Sequence, residues 1–461
     1  MQVIRDALWS VYPQLVTTHQ RTPRRSDSIA VVGLGYVGLP TAVAFAESGR
    51  RVIGFDIDSA KVAAVSAGIS YIQDTPSMQL AGLVESGWLG ATSDMLQLAD
   101  HEAILVTVPT PLNRQRSPDL GCIQAACESI GAVLRSGQLV VLESTTYPGT
   151  TEEFVAPLLE ERSGLIAGQD FGLAFCAERI DPGNTCFPLP KIPRVVGGVT
   201  PQCAERAAAL YSLVFEHVHQ VSSTKAAEMA KLLENTFRNV NIALVNELAQ
   251  ICRGLGVDVW EVIAAAATKP FGFMPFYPGP GIGGHCIPVD PVYLTWRAKE
   301  AGIDSPFIEL AAHINATMPD YVVRLVADAL NARKKPVNGS RILVVGVAYK
   351  PGIDDVRESP AEAVMLGLQR MGGEIAYHDP FVPALSWDGL SLTSSDLTPD
   401  ALGAADCVLV LTAHPGVDYA RIAAESSLVV DTRNAVCAGP RVSRLGCPVD
   451  WPAAESGPMD A

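Results

Sequence analysis

The stretch Ile29-Ala-Val-Val-Gly33-Leu-Gly35-Tyr36-Val37-Gly38 decides the fold. Four apolar residues run into a glycine-rich turn, and Gly38–Ser48 then reads as a helix. Strand, GxGxxG and helix in that order open a dinucleotide-binding unit. The glycines alone are a weak signal. Asp56 strengthens them, because it closes the next strand-like run, Arg51–Asp58, 18 residues beyond Gly38. Gly33 permits the tight turn, Gly35 lets backbone approach a pyrophosphate, and Gly38 lets helix pack closely on strand. The helix N-terminus supplies N–H donors to phosphate. Asp56 would accept hydrogen bonds from the adenosine ribose and repel a 2′-phosphate, which favours NAD over NADP. The plain alternative is a glycine turn without a ligand, and the full strand–loop–helix–strand–Asp set argues against it.

Outward from this turn the pattern repeats. Ser28–Gly35, Arg51–Asp58, Glu102–Thr110, Gln138–Thr145 and Phe171–Glu178 read as buried strands, with helical stretches such as Gly38–Ser48 and Cys122–Leu134 between them. Such alternation implies a parallel sheet covered by helices on both faces. A helical stretch from about Ser223 to Arg253 would span roughly 45 Å, and a helix of that length between two domains usually carries a shared interface. Lys269–Pro291 is dense in Gly, Pro and aromatics and must be loop. Alternation resumes with Arg341–Val347, Gly373–Tyr377, Asp406–Thr412 and Leu428–Asp431. The expected fold is α/β: two Rossmann-like, doubly wound parallel-sheet domains joined by a long central helix. The expected divisions are an N-terminal extension (1–27), a dinucleotide domain (28–222), a central region (223–333), a second α/β domain (334–447) and a tail (448–461).

Size and composition set the outer limits. A chain of 461 residues is too long for one core. With 48% hydrophobic and 18% charged residues it is globular. A net charge of −15 argues against nucleic-acid and anionic-membrane partners. The ten cysteines include no CxxC pair, which reads as reduced thiols in a cytoplasmic chain. No apolar run reaches membrane-spanning length. His217 and His219 share a strand face with no third ligand in view, so no metal is expected.

Pro278-Gly-Pro-Gly-Ile-Gly-Gly284-His-Cys286-Ile-Pro-Val-Asp290 is the most unusual segment. Its glycines and prolines make a backbone of special conformation that ends in a Cys and an Asp four residues apart. A thiolate there could attack an aldehyde while a carboxylate handles protons. For an arbitrary cysteine, a small buried thiol is the commoner outcome. Lys231 and Asn235, at i and i+4, share a helix face and could hold an oxyanion, although a solvated face is the ordinary reading of such a pair. Glu143-Ser144-Thr145 and Glu178-Arg179 end strands, where side chains face a cofactor crevice. The second unit opens with Val345-Gly-Val-Ala-Tyr-Lys350-Pro-Gly, a turn with one glycine. It makes no second dinucleotide fingerprint, but a single nucleotide could sit there.

Taken together these segments resemble the UDP-glucose/GDP-mannose dehydrogenase family from about Ser28 to Cys437. The motifs are GLGYVGLP (33–40), VPTP (108–111), EST (143–145), AER (177–179), KLLEN (231–235), GIGGHCIPVDP (281–291) and GVAYKPGIDDVRESP (346–360). The loop 271–291 is most similar to the branch that acts on UDP-N-acetylglucosamine or UDP-N-acetylmannosamine, with a lean to the gluco epimer. The resemblance implies NAD-dependent four-electron oxidation at C6 of the sugar, through a thiohemiacetal and a thioester, in a homodimer or higher oligomer built on the long helix. It casts Cys286 as nucleophile and Lys231 and Asn235 as oxyanion ligands. Asp290, Glu178 and Thr145 would manage protons and water. Cofactor contacts would be Gly33, Gly35, Tyr36, Val37, Gly38, Asp56, Lys61, Val108, Thr110, Ser144, Thr145 and Arg357. Besides Glu178, Lys231 and Asn235, the UDP-sugar would meet Asp181, Tyr277, Gly279, Gly281, Gly283, Lys350 and Arg433. One departure is Pro182, where UDP-glucose enzymes carry a second Glu four residues after the one matching Glu178.

Other readings stay open at this point. The same chemistry could serve UDP-N-acetylmannosamine, UDP-glucose or GDP-mannose. A catalytically silent nucleotide-sugar binder is opposed by the presence of Cys286, Lys231, Asn235 and Asp290. A two-electron dehydrogenase of the 6-phosphogluconate type would not need Cys286.

Overall fold

Ile29 and Val31 pack on one face of β1 (Ser28–Val32), Ala30 and Val32 on the other, and all four are buried. Burial on both sides is what a continuous apolar run means in a parallel sheet. The computed structural model describes residues 28–448 apart from Gln73, Arg114, Pro182, Thr185 and Cys186. The N-terminal extension, the tail beyond Pro448 and the Pro182 departure therefore lie outside the described residues.

β1 lies within an eight-stranded sheet with β2 (Arg51–Phe55), β3 (Leu89–Thr92), β4 (Ala103–Val106), β5 (Leu139–Leu142), β6 (Gly172–Cys176), β7 (Arg194–Gly198) and β8 (Val218–Gln220). Their order is β3-β2-β1-β4-β5-β6-β7-β8. Val32 sits opposite Phe55 on one side and Val106 on the other, both in parallel register. The sheet departs from the all-parallel expectation at β6 and β7, which pair antiparallel. Among the described residues the connection between them holds only the short 3-10 turn Leu189–Lys191, not the helical crossover that a parallel neighbour requires. Each strand expected in this sheet is found, but shorter at its C-terminal end. The residues shed there, Gly33, Asp56, Thr107–Thr110, Ser144–Thr145 and Ala177–Glu178, leave the ladder and are free to form a site.

The helix after Gly38 spans Gly38–Glu47, and the long helix spans Thr224–Leu255. At 32 residues the latter is about 48 Å long. The chain divides into two compact units inside it. One runs to Asn235 and regains Val292–Asp304; the other takes Thr236–Pro291 and the chain from Ser305 onward.

The second unit holds β9 (Arg341–Val345), β10 (Glu374–His378), β11 (Ala384–Trp387), β12 (Leu390–Thr393), β13 (Cys407–Val410), β14 (Val429–Asp431) and β15 (Val442–Arg444). Five of them form a wholly parallel sheet in the order β10-β9-β13-β14-β15, while β11 and β12 pair as an antiparallel hairpin. Ile342 and Val344 feed one core, Leu343 and Val345 the other. The loop expected over Lys269–Pro291 holds no helix or strand through Val289, but Asp290 and Pro291 already belong to the helix Asp290–Glu300. Among the described residues no helix is long and apolar enough to cross a membrane.

Candidate active site

In the first unit the turn after β1 is built on sterics. Gly33 adopts φ +98°, which an L side chain rarely tolerates. A Cβ on Gly38 would stand 1.8 Å from the Gly33 carbonyl oxygen and 2.5 Å from the Thr107 hydroxyl, so only glycine lets the helix start there. A Cβ on Gly35 would meet nothing within 4 Å, which leaves that backbone open to a ligand. Tyr36 and Val37 complete the turn, half-buried.

Asp56 is buried, and its carboxylate accepts the Leu34 N–H at 2.8 Å and the Asp58 N–H at 2.9 Å. A carboxylate has about four lone-pair sites, so Asp56 keeps capacity for ribose hydroxyls. Lys61 lies 3.6 Å away, with its side chain partly exposed. These residues fit the adenosine end of NAD. Ser144 donates to the Val108 carbonyl at 2.7 Å, tying the EST turn to the VPTP turn. Thr110 offers its carbonyl to the Tyr293 hydroxyl at 3.0 Å, and Thr145 is half-buried beside Ser144.

Glu178 and Lys231 form a buried ion pair at 3.6 Å. The Ile180 N–H also donates to Glu178, and Arg179 pairs with Glu234 on the long helix. Glu178 is thus a partner of Lys231 and not a surface charge. Asn235 is buried one turn further along the same helix. Asp181 takes a different position. It accepts from Asn184 at 2.9 Å and lines a cleft of about 530 Å³ with Pro40, Val43 and Asp74.

Lys231 and Asn235 belong to a longer pattern. Glu228, Lys231, Asn235, Asn239 and Asn246 recur at helical spacing and all five are buried. The bland expectation of a solvated face is therefore wrong; the spacing marks the shared face, and its burial is seen only in the structure. Glu228 accepts the Gly149 N–H (2.6 Å), the Thr151 N–H (2.9 Å) and the Thr151 hydroxyl (2.7 Å). Burial pushes it up to about 7, against the pull of those bonds.

In the second unit asparagines fix the glycine loop. Asn246 accepts the Gly279 N–H and donates to Asn315, each at 2.9 Å; Asn315 donates to the Asn239 carbonyl at 2.9 Å, and Asn239 to that of Ile287 at 3.1 Å. The loop then threads closely past the segment 346–360. A Cβ on Gly283 would lie 2.6 Å from that of Tyr349, and the Gly284 N–H donates to the Arg357 carbonyl at 3.3 Å. Gly281 lies beside Pro360, and Gly279 against the Arg433 guanidinium. Arg433 also donates to the Leu411 carbonyl at 2.6 Å. Burial draws it down to about 10, so it remains a cation at neutral pH. The Arg357 guanidinium grips Asp355, and Tyr277 is exposed but stacks on Trp260. Cys286 is exposed and opens the turn into the helix Asp290–Glu300, its carbonyl accepting the N–H of buried Asp290 at 2.9 Å.

Lys350 lies on a turn whose anchors were not foreseen. Asp379 follows β10 as Asp56 follows β2, and accepts the N–H groups of Val347 (2.8 Å), Ala348 (3.2 Å), Phe381 (2.9 Å) and Val382 (3.1 Å). His414 Nε2 approaches it at 2.9 Å. Burial alone would raise this carboxyl; hydrogen bonds from His414 and the amides outweigh burial and hold it low.

The chain matches the UDP-glucose/GDP-mannose dehydrogenase NAD binding domain over residues 27–215, the central domain over 225–317 and the UDP binding domain over 343–438. It is 40% identical over 390 residues to UDP-N-acetyl-D-glucosamine 6-dehydrogenase of Pseudomonas aeruginosa, covering 84% of this chain and 90% of that relative. It is 39% identical over 419 residues to NDP-N-acetyl-D-galactosaminuronic acid dehydrogenase of Ralstonia solanacearum, covering 88% and 95%. Among solved structures, UDP-D-ManNAc dehydrogenase of Pyrococcus horikoshii superimposes with a TM-score of 0.83 at 35% identity, covering 91% of this chain and 99% of that one. The turn that fits NAD, the fold and these matches agree: the chain belongs to the UDP-glucose/GDP-mannose dehydrogenase family and is an NAD-dependent nucleotide-sugar dehydrogenase.

Proposed function

We propose that the chain oxidises a UDP-N-acetylhexosamine at C6 to the uronic acid, with UDP-N-acetylglucosamine as first choice. The relatives named above support the N-acetylhexosamine class and divide among its epimers. The lean to the gluco epimer rests on the loop 271–291. NAD, when bound, accepts the electron pair of each oxidation as hydride.

The observation that carries the reading is the buried Lys231–Glu178 pair beside Asn235, in the unit that holds the NAD turn. A buried ammonium and a carboxamide can stabilise an alkoxide and then a tetrahedral oxyanion. Glu178, already paired to Lys231, can accept the proton that leaves the sugar hydroxyl or the attacking water, with Thr145 orienting that water. The Cys286 sulfur would add to the C6 aldehyde and retain the carbon as a hemithioacetal until the second oxidation gives a thioester. Asp290 would manage protons at the sulfur. Water then releases the acid. Lys350, Arg433 and the loop Tyr277–Gly283 would hold the UDP-sugar. We also propose that the chain forms a homodimer or higher oligomer built on the long helix.

The test is NADH formation with purified protein and a panel of UDP- and GDP-sugars. The expected result is two NADH per UDP-N-acetylhexosamine, and loss of sustained turnover in Cys286→Ser with NAD affinity unchanged. One NADH per sugar, or normal acid production by that variant, would sink the thioester route. Preference for UDP-glucose or GDP-mannose would keep the mechanism and discard the assigned substrate.

A further inference from the structure

The turn Gly346–Gly352 follows β9 and carries Lys350, and five of its N–H groups and two of its carbonyls are held by named partners. The Gly346 N–H donates to His378, those of Val347 and Ala348 to Asp379, and that of Tyr349 to Asp355. The carbonyls of Val347 and Ala348 accept the hydroxyls of Ser359 (2.7 Å) and Thr412 (2.6 Å). Beyond Lys350, Pro351 has no N–H to give. The Gly352 N–H then donates to His414 Nδ1 at 3.1 Å. Lys350 is thus bracketed, with Tyr349 pinned on one side and Gly352 on the other.

The His414 ring has no choice of tautomer. Nδ1 accepts a backbone N–H, so the ring proton sits on Nε2 and is donated to Asp379. The ring is fully buried, lies 5.0 Å from that of Phe381, and is backed by the Tyr419 hydroxyl on its own carbonyl. One imidazole therefore joins both ends of the turn. It donates to the carboxylate that holds Val347 and Ala348, and it accepts from Gly352.

We propose that His414 is a positioning residue for the UDP-sugar, locking through its two ring nitrogens the turn that presents Lys350. The proposal rests on the UDP-sugar reading above and adds to it a residue that touches no ligand. The two nitrogens can be separated chemically. Asn places an oxygen near Nδ1 and keeps the acceptor for Gly352, while Asp379 retains its four amide donors. Gln places an amide near Nε2 and keeps the donor to Asp379, but strands the part-buried Gly352 N–H. A donor left without its acceptor is the costlier loss.

The experiment compares the full-length wild type with His414→Asn, His414→Gln and His414→Ala. Amide hydrogen exchange across 347–352, read without ligand, reports on the clamp; titration with UDP and with NAD, and steady-state kinetics, report on its use. We expect faster exchange at Gly352 and roughly tenfold weaker UDP binding and higher UDP-sugar KM in the Gln and Ala variants. His414→Asn should stay near wild type. NAD affinity and kcat should stay within about twofold in all three. Unchanged exchange and UDP affinity in His414→Gln would overturn the proposal. So would His414→Asn failing as badly as His414→Ala, or parallel loss of NAD binding and kcat, which would mark general destabilisation. A wild type that takes no UDP would sink the UDP-sugar reading itself; the exchange pattern tells that outcome apart from failure of the clamp.

Discussion

The turns after β1 and β9 are built on the same bond and put it to opposite uses. In each, a glycine at positive φ ends the strand, Gly33 at +98° and Gly346 at +82°. In each, the next N–H, of Leu34 or Val347, donates at 2.8 Å to a buried aspartate that ends the neighbouring strand. At Asp56 two amides leave room on the carboxylate. At Asp379 four amides and an imidazole fill it, more than its four or so lone-pair sites. The first turn also runs straight into a helix, whose N–H groups favour phosphate. The second travels to Pro360 before its helix begins and carries Lys350, a point charge, on the way. The two related frames thus differ in the groups that occupy one carboxylate and in the path the chain takes after one glycine.

The strongest way to break this comparison is to remove both acids. Asp379→Ala would leave three buried N–H groups, the part-buried Phe381 N–H and His414 without their acceptor. We expect it to cost about 3–5 kcal/mol, seen as a large fall in the thermal midpoint. Asp56→Ala should cost about 1 kcal/mol and instead relax the preference for NAD over NADP in a kinetic comparison. Equal destabilisation, or an unchanged cofactor ratio, would mean that the two acids do not divide their labour in this way.

A second contrast concerns the buried carboxyls. Asp379 is held low, so its stabilising contribution is present at neutral pH and is lost only in strong acid. Glu228 is raised to about 7, so its contribution is fully present below its unfolded value near 4.5 and is lost as pH rises through about 7. Unfolding measured at pH 6 and pH 8 should show the wild type gaining about 1 kcal/mol at the lower pH from this group, and Glu228→Gln losing that gain. An identical pH slope in both proteins would exclude Glu228 as its source.

The finest contrast lies within one turn. Gly38→Ala meets backbone oxygen and should destabilise the fold by about 2–3 kcal/mol while weakening NAD binding. Gly35→Ala has free space and should leave stability within about 0.5 kcal/mol yet weaken NAD several-fold, as calorimetric titration can show. If Gly35→Ala bound NAD normally, the pyrophosphate would not approach at that residue.

Range along the chain decides how much of this was legible in the sequence. The NAD turn was legible because its glycines, helix and acid fall within 28 residues, Ile29 to Asp56, each at a diagnostic spacing. The antiparallel β7 and the edge strand β3 were not, because four or five residues beside a sheet carry little periodicity and direction is set by the connection. Lys231 and Asn235 were legible as a pair, but their burial was not, since helical spacing gives a shared face and not what covers it. Asp379 and His414 lay beyond reach: 35 residues separate them, no glycine motif flags the acid, and only the sheet brings the ring to the carboxylate.

Residues 292–304 return to the first unit after 56 residues spent in the second, Thr236–Pro291. They bring Tyr293 to the Thr110 carbonyl, Trp296 to the Tyr147 ring and Arg297 to Glu153. On a ribosome, therefore, the NAD-binding half cannot finish folding when its sheet has emerged. It must wait for a stretch translated seconds later, while the start of the other half is already outside. Neither half is a continuous piece of chain, so a fragment ending after β8 would be missing parts of its own fold, and the first half can close only once Asp304 is clear.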